Sequence, residues 1–128
     1  MPPTDGTRLA MTEHQFQMGL VAAIRLHGFK VHFVPDNLYR RSFPSKSQKE
    51  QGLKPRPIDL GDRGFPDLTI AGPKGVAYRE LKVGRNQLTP DQEEWRDILL
   101  AGGADWAEWR DRDYDDILYW LQRGLIRG

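Results

Sequence analysis

Residues 64–83 have the sequence GFPDLTIAGPKGVAYRELKV, which predicts two β-strands joined by a tight turn. β-branched and aromatic residues in both halves favour strands, and residues 72–75 (GPKG) between them are typical of a turn. If this turn closes a regular antiparallel hairpin, Ala71 pairs with Val76. The register of the hairpin decides which polar side chains meet, because a slip by one residue turns every side chain to the other face.

The predicted register brings two acidic side chains together. Asp67 would lie opposite Glu80, and Lys82 would point to the same face as Glu80, because side chains alternate along a strand. Cross-strand partners have Cβ atoms about 4.5–5.5 Å apart, so two like charges placed there repel each other. A divalent cation held by oxygen ligands would turn that repulsion into binding, and a lysine beside it could stabilise charge on an attacked phosphodiester. This pattern favours a metal-dependent nuclease.

A purely structural explanation of the same residues stays open. Pro66-Asp67 is a common dipeptide at turns, and Glu80 with Lys82 could be an ordinary ion pair on an exposed strand. Glu13 lies three residues before Phe16 on the apolar stripe of the first predicted helix and is expected to face inward. It could bind a metal, or it could only interact favourably with the helix dipole.

The composition indicates one globular domain that works inside the cell. The chain has 128 residues, of which 38% are hydrophobic and 29% charged, and its net charge is +1. It has no cysteine, which excludes disulfides, zinc–thiolate sites and cysteine nucleophiles and favours a cytoplasmic protein. No apolar run approaches the roughly 18 residues of a membrane span, and the N-terminus lacks the plan of a signal peptide, so no membrane association is expected.

The order of the predicted elements indicates an α/β fold. They are a helix 12–27, a strand 30–35, a long loop at about 36–64, strands 67–71 and 76–83, a helix 89–101, a strand 104–110 and a helix from about 113 to 124. This order predicts a small mixed β-sheet flanked by helices. Both Thr12 and Thr89 are followed three residues later by a glutamine, which predicts capping boxes at two helix starts.

Two segments are expected to lie outside this regular framework. Residues 1–10 are rich in proline, glycine and threonine and are expected to be a disordered N-terminus, so that residues 11–128 form the single domain. The loop at about 36–64 has no periodicity and is predicted to be structureless and functional or flexible. It is also basic, which favours either contacts with a polyanion or simple solubility. With the loop after the second hairpin strand, it supplies candidates for phosphate contacts that position DNA: Arg40, Arg41, Lys46, Lys54, Arg63 and Arg85.

Four segments in this order resemble the VRR-NUC branch of the PD-(D/E)xK nucleases, of the stand-alone type found in phages and bacteria. They are Glu13 with Phe16-Gln17, residues 64–68 (GFPDL), residues 80–82 (ELK) and residues 88–92 (LTPDQ). The resemblance implies a restriction-endonuclease-like core. It implies a metal site of Glu13, Asp67, Glu80 and the backbone carbonyl of Leu81. It further implies that Lys82 and Gln92 act beside Asp67 and Glu80 as catalytic residues.

The resemblance also implies a function. It is that of a Mg²⁺-dependent deoxyribonuclease, with Mn²⁺ able to replace Mg²⁺, which hydrolyses phosphodiester bonds. No sequence-reading DNA-binding motif is present, so cleavage that selects branched DNA is expected, as in Holliday-junction resolvases of DNA repair and recombination. Two symmetric nicks would require a homodimer. The alternatives are a non-catalytic nucleic-acid-binding protein on a degenerate nuclease scaffold, and a nickase or exonuclease of the same fold.

Overall fold

The computed structural model of the protein describes residues 11–34, 41–42, 46–52, 56–57 and 60–128. Its helices and strands, in chain order, are α1 (Glu13–Leu26), β1 (Lys30–His32), β2 (Arg41–Ser42), α2 (Lys46–Glu50), β3 (Arg56–Pro57), β4 (Leu68–Gly72), β5 (Gly75–Lys82), α3 (Pro90–Ala101), β6 (Asp105–Arg110) and α4 (Tyr114–Gln122). A 3₁₀ turn, Asp111–Asp113, leads into α4. The segment 1–10, which was predicted to be disordered, lies outside the described residues.

A four-stranded mixed sheet organises the domain. Its strands lie in the order β1-β4-β5-β6, with β4 antiparallel to both β1 and β5. β6 runs parallel to β5, and α3 provides the crossover that such a pair requires. β2 and β3 form a separate antiparallel ladder of two residues each. The prediction of an α/β fold with a small mixed sheet and flanking helices is confirmed.

The predicted register of the β4–β5 hairpin is also confirmed. Ala71 pairs with Val76, and Leu68 pairs with Arg79 at the far end of the ladder. The turn is tighter than predicted, because Gly72 and Gly75 also pair and leave only two residues to connect the strands. One further step along this register brings the residue before β4 opposite Glu80.

Both predicted capping boxes are present. Thr12 Oγ1 accepts from the Gln15 backbone N–H at 3.0 Å, and Gln15 Oε1 accepts from the Thr12 N–H at 3.0 Å. Thr89 and Gln92 repeat this arrangement at the start of α3, with distances of 3.3 and 2.9 Å. Each cap satisfies two N–H groups that the first helical turn leaves without intrahelical partners. Local sequence therefore specifies where these two helices begin.

The apolar core lies between one face of the sheet and the helices α1 and α4. Alternate residues of the strands turn inward, and the apolar stripes of both helices cover them. The fully buried members are Phe16, Leu20, Val21, Ile24, Leu68, Ile70, Leu81, Trp109, Ile117 and Leu121. We call this the core face of the sheet. The other face, which carries Glu80 and Lys82, is partly covered by α3, and we call it the site face.

Three expectations differ from the structure. The first strand ends at His32 instead of residue 35. The loop at about 36–64 is not structureless in its described parts, because β2, α2 and β3 lie within it and the two strands hydrogen-bond to each other. Glu13 is exposed, because the first turn of α1 extends beyond the apolar stripe that begins at Phe16. Over the described ranges, no helix is long and apolar enough to cross a membrane.

Candidate functional site

A pair of carboxyl groups lies at the end of the β4–β5 hairpin. Asp67 immediately precedes β4, and its carboxyl group makes a hydrogen bond with that of Glu80. The Leu81 backbone N–H donates to Asp67 Oδ2 at 2.8 Å, which ties the aspartate to the neighbouring strand. Asp67 is half-buried, whereas Glu80 is only 1% exposed. Two acidic side chains are thus held in contact, one of them almost inaccessible to water.

The environment of Glu80 favours its protonated form. The pKa of Glu80 is raised to about 10, mainly by burial and in addition by the hydrogen bond with Asp67 and the negative charge of Asp67. The positive charge of Lys82 opposes this shift, and the charge of Glu13 adds to it as the smallest contribution. At neutral pH and without a cation, the pair therefore holds a proton on Glu80. A bound cation would have to displace that proton.

Gln92 connects the start of α3 to Glu80. Its Nε2 donates to Glu80 Oε1 at 3.1 Å, while its Oε1 accepts from the Thr89 backbone N–H at 2.9 Å. One amide side chain therefore completes a helix cap and holds the buried carboxyl group. The start of α3 and the position of Glu80 are mechanically linked through this residue.

Gly64 explains how the segment before Asp67 meets α3. Its φ is +94°, in the region that favours glycine, and a Cβ there would lie 2.5 Å from the Asp91 carbonyl and 2.7 Å from the Gln92 backbone nitrogen. Backbone cannot move aside as a flexible side chain can. A glycine is therefore required for residues 64–68 to pack on the first turn of α3. This contact brings together two of the sequence segments that are separated in the chain.

Lys82 lies on the same face as Glu80, and only 9% of it is exposed. Its charge acts on Glu80, yet no salt bridge joins it to a carboxylate in the part of the chain that the structure describes. The ordinary ion pair that the sequence left open is therefore absent there. Lys82 is thus a nearly buried side chain whose charge acts directly on Glu80.

Arg110 is a component of the site that the sequence analysis missed. It pairs with Lys82 across the parallel β5–β6 ladder, and its guanidinium donates to the backbone carbonyls of Gly84 at 3.1 Å and Asn86 at 2.8 Å. It also forms an ion pair with Glu108, which lies beside Glu80 in the ladder. Arg110 thus holds the loop that follows Lys82 and engages the neighbouring acid. Only the strand pairing reveals this, since the two strands are far apart in sequence.

The remaining predicted residues are distributed around this centre. Glu13 is the first residue of α1, and it is near enough for its charge to act on Glu80. Arg63 and Arg85 are exposed beside the site-face elements, and Lys46 is exposed at the start of α2. Arg41 contributes backbone to β2, but its side chain lies outside the described part of the chain, as do Arg40 and Lys54 entirely.

Three aromatic side chains from separate segments meet on the site face, and the sequence analysis did not predict this contact. The Phe65 ring contacts Trp95 with centroids 4.9 Å apart and Tyr78 with centroids 5.9 Å apart, both edge to face. We call Phe65, Tyr78 and Trp95 the aromatic cluster. Trp95 also donates its indole N–H to the Asp62 carbonyl at 3.3 Å.

The chemistry of the carboxyl pair fits a hard divalent cation. Its ligand atoms are oxygens, and the raised pKa of Glu80 reflects burial and a repulsion that a cation would relieve. Mg²⁺ keeps several waters and often takes only one or two carboxylates, so a pair is sufficient in number. Among residues 11–34, 46–52 and 60–128, no three or more His, Cys, Asp or Glu side chains are gathered closely enough to hold an ion, so Glu13 is not part of a preformed triad.

Comparison with known proteins gives one partial similarity. The chain matches no protein-family model and no solved structure. It is 31% identical over 108 residues to the tRNA-specific 2-thiouridylase MnmA of Herpetosiphon aurantiacus. The similarity covers 79% of this chain but 29% of that relative, so the chain spans less than a third of the relative's length.

Proposed function

We propose that the protein is a divalent-cation-dependent DNA endonuclease with a restriction-endonuclease-like core of the VRR-NUC kind. The observation that carries the proposal is the hydrogen-bonded pair of half-buried Asp67 and buried Glu80, with Lys82 on the same face as Glu80. A purely structural role does not explain this arrangement well, because an apolar side chain in place of buried Glu80 would stabilise the fold more than a carboxyl group does. Buried groups with strongly perturbed pKa values cluster at functional sites.

Asp67 and Glu80 would hold Mg²⁺ or Mn²⁺, with Glu13 acting directly or through water and the Leu81 carbonyl beside them. When bound, the cation supplies Lewis acidity and makes water a better nucleophile near neutral pH. The protein must release the Glu80 proton first, so cation binding is coupled to deprotonation. Gln92 keeps the Glu80 carboxyl group oriented through its hydrogen bond. Asp67 and Glu80 are thus the proposed charged ligands, and Gln92 is a neutral residue that positions Glu80.

Lys82 would stabilise the negative charge that develops on the attacked phosphate. A lysine is normally protonated at neutral pH and is therefore a poor general base, so electrostatic stabilisation is the more effective use of its ammonium group. The absence of a salt bridge to a described carboxylate leaves the ammonium free for a phosphate. Arg110 assists indirectly, because it holds the loop that follows Lys82 and carries Arg85.

The proposed substrate is branched DNA, cut without sequence preference. Exposed Arg63 and Arg85 flank the site-face elements and are suited to phosphate contacts, which position a nucleic acid without reading its bases. Cleavage of a four-way junction at two symmetric positions would require two copies of the site, hence a two-fold homodimer. RNA is the second candidate substrate, since the partly similar relative is named for tRNA.

The proposal is tested by incubating the protein with labelled four-way junction, linear duplex, single-stranded DNA and a tRNA transcript. Each substrate is offered with Mg²⁺, Mn²⁺ or EDTA, and Asp67→Ala is compared with the exposed, remote control Asp116→Ala. We expect metal-dependent cleavage that Asp67→Ala abolishes and Asp116→Ala leaves unchanged. Cleavage of tRNA alone would move the proposal to RNA. Binding of branched DNA without any cleavage would instead favour the non-catalytic scaffold.

A further inference from the structure

The aromatic cluster lies directly beside the proposed catalytic pair. Phe65 is two residues before Asp67, and Tyr78 is two residues before Glu80 on the same face of β5. Trp95 follows Gln92 by one helical turn of α3, and Gln92 contacts Glu80. Each aromatic residue is therefore adjacent to a different site residue on a different element. The cluster and the carboxyl pair therefore lie on the same face of the sheet, joined through neighbouring residues of three segments.

Contacts with neighbouring residues hold the aromatic cluster in place, and the Phe65 ring remains open to solvent. Phe65 is 38% exposed, although both of its ring neighbours are half-buried and pack edge to face against it. Trp95 is fixed by its hydrogen bond to the Asp62 carbonyl. The rings are not part of the apolar core, which lies on the opposite face of the sheet. An aromatic surface that is both rigid and accessible is suited to stacking against a planar ligand.

We propose that the aromatic cluster binds an unpaired nucleobase of the substrate, next to the phosphate to be cut. This inference rests on the proposed nuclease function and adds the class of substrate to it. Aromatic side chains stack on bases of any sequence, because every base has a π-face. In a continuous duplex the bases are stacked on each other and cannot reach a protein ring. The cluster would therefore select flaps, single-stranded segments or junctions with open bases.

The charges next to the cluster favour a base over a phosphate. A cavity of about 460 Å³ opens beside Trp95, and its other lining residues are Asp62, Arg63, Asp91, Glu94 and Ile98. Three acidic side chains repel a phosphate, whereas exocyclic amino groups of a neutral base can donate to carboxylates. Arg63, the one basic residue that lines this cavity, can bind the adjacent phosphate of the nucleic acid at the edge of the cavity. The occupant that matches both the rings and the charges is thus a base.

The test measures binding, so it does not depend on cleavage. Wild-type protein in Ca²⁺ buffer is titrated with an oligonucleotide carrying 2-aminopurine in an unpaired segment, and with a blunt duplex. We expect 2-aminopurine fluorescence to fall on binding, because the base stacks on the ring. Phe65→Leu keeps the apolar volume but removes the ring, and should raise the Kd for the unpaired oligonucleotide about 10-fold while changing the duplex Kd less than about 2-fold.

Two further variants make the result decisive. Phe65→Trp retains a ring and should retain the preference, whereas Tyr119→Leu removes an exposed ring on α4 and should have no effect. Tight binding without any fluorescence change in the wild type would overturn the inference even if Phe65→Leu fails to fold. Equal weakening for both ligands would also overturn it, since that indicates a packing role.

Cleavage and 2-aminopurine quenching together distinguish failure of the stacking inference from failure of the nuclease proposal. If the wild type and Phe65→Leu both cut DNA with an unpaired segment and blunt duplex DNA at equal rates, the stacking inference fails and the nuclease proposal stands. If nothing is cut but 2-aminopurine is quenched and Phe65→Leu abolishes this, stacking stands and the nuclease proposal fails.

Discussion

The two faces of the sheet bury different kinds of side chain. The core face buries apolar side chains against α1 and α4, with Leu20, Leu68 and Ile70 fully inaccessible. The site face buries Glu80 and Lys82 instead, and the helix that covers it, α3, has no fully buried residue. Burial of apolar area drives folding, whereas burial of charged groups opposes it. Stability is therefore concentrated on the core face, whereas the proposed chemistry lies on the site face.

Arg79 shows that a charge on the core face is treated differently. It is 1% exposed and forms a salt bridge with Asp105 at 3.0 Å, and its guanidinium lies 5.3 Å from the Trp109 ring centroid. Its NH1 also donates to two backbone carbonyls. The buried charge on the core face is compensated by neighbours within the protein. On the site face, Arg110 is paired with Glu108, whereas Lys82 has no salt bridge to a carboxylate among the described residues.

The largest expected effect on the site face is that of Glu80→Gln. It should lower metal-dependent cleavage about 1,000-fold or more, because a ligand of the proposed cation is lost and several kcal/mol of charge stabilisation go with it. The fold should persist, since Gln fits the same space and can accept from Gln92. Cleavage rates and thermal unfolding of the variant, beside the exposed control Glu50→Gln, check both parts. Retained activity would remove Glu80 from the site.

Truncation of a side chain in the apolar core should lower stability much more than truncation of an exposed side chain on α3. Leu20→Ala is expected to lower the free energy of unfolding by about 3 kcal/mol, because it leaves a cavity among fully buried side chains. Ile98→Ala on α3 removes a side chain that is 60% exposed and should change it by less than about 0.5 kcal/mol. Urea denaturation measures both values. Similar losses in the two variants would contradict the division between the faces.

The buried carboxyl pair should make stability depend on pH. In the unfolded chain Glu80 loses its proton near its ordinary pKa of 4.5, whereas in the folded state the pKa is about 10. Between these values the folded state binds more protons, so the free energy of unfolding falls as pH rises, by at most about 1.4 kcal/mol per pH unit. Denaturation in EDTA from pH 5 to 9 should show this slope for wild type but not for Glu80→Gln. Parallel curves would refute the assignment.

Removing Arg110 should affect the site more than the core. Arg110→Met keeps the stem but loses the bonds to the Gly84 and Asn86 carbonyls, so the loop after Lys82 is released. We expect kcat to fall about 10-fold, an effect of roughly 1.4 kcal/mol, with KM changed less. Arg112→Met, at an exposed position, is the matched control. A change in KM alone would mean that Arg110 acts through substrate binding.

The smallest expected effects come from the two capping threonines, which form a natural pair. Thr12→Ala and Thr89→Ala should each lower the free energy of unfolding by about 1 kcal/mol, because each loses one cap bond. Only Thr89→Ala should also reduce cleavage, since the box at Thr89 includes the glutamine that contacts Glu80. Equal activity in the two variants would show that the cap and the site are independent.

Local patterns were sufficient to predict much of this fold. The hairpin register follows from two strand-forming runs around a glycine-proline turn, and the capping boxes follow from residues three positions apart. These features depend on neighbours in the chain, which a sequence displays directly. The exposure of Glu13 was not predicted, because the apolar stripe of a helix does not reveal how far its burial extends into the first turn.

Short-range patterns in the amino-acid sequence specify the helix starts, the hairpin and the types of side chain that the hairpin brings together. The parallel pairing of β6 with β5, which places Arg110 beside Lys82, and the contact of Gly64 with the first turn of α3 arise only in the folded domain. The folded domain also assembles the aromatic cluster from three segments. Such contacts join residues distant in the chain, and they are selected by burial and packing of the whole domain instead of by local conformational preference.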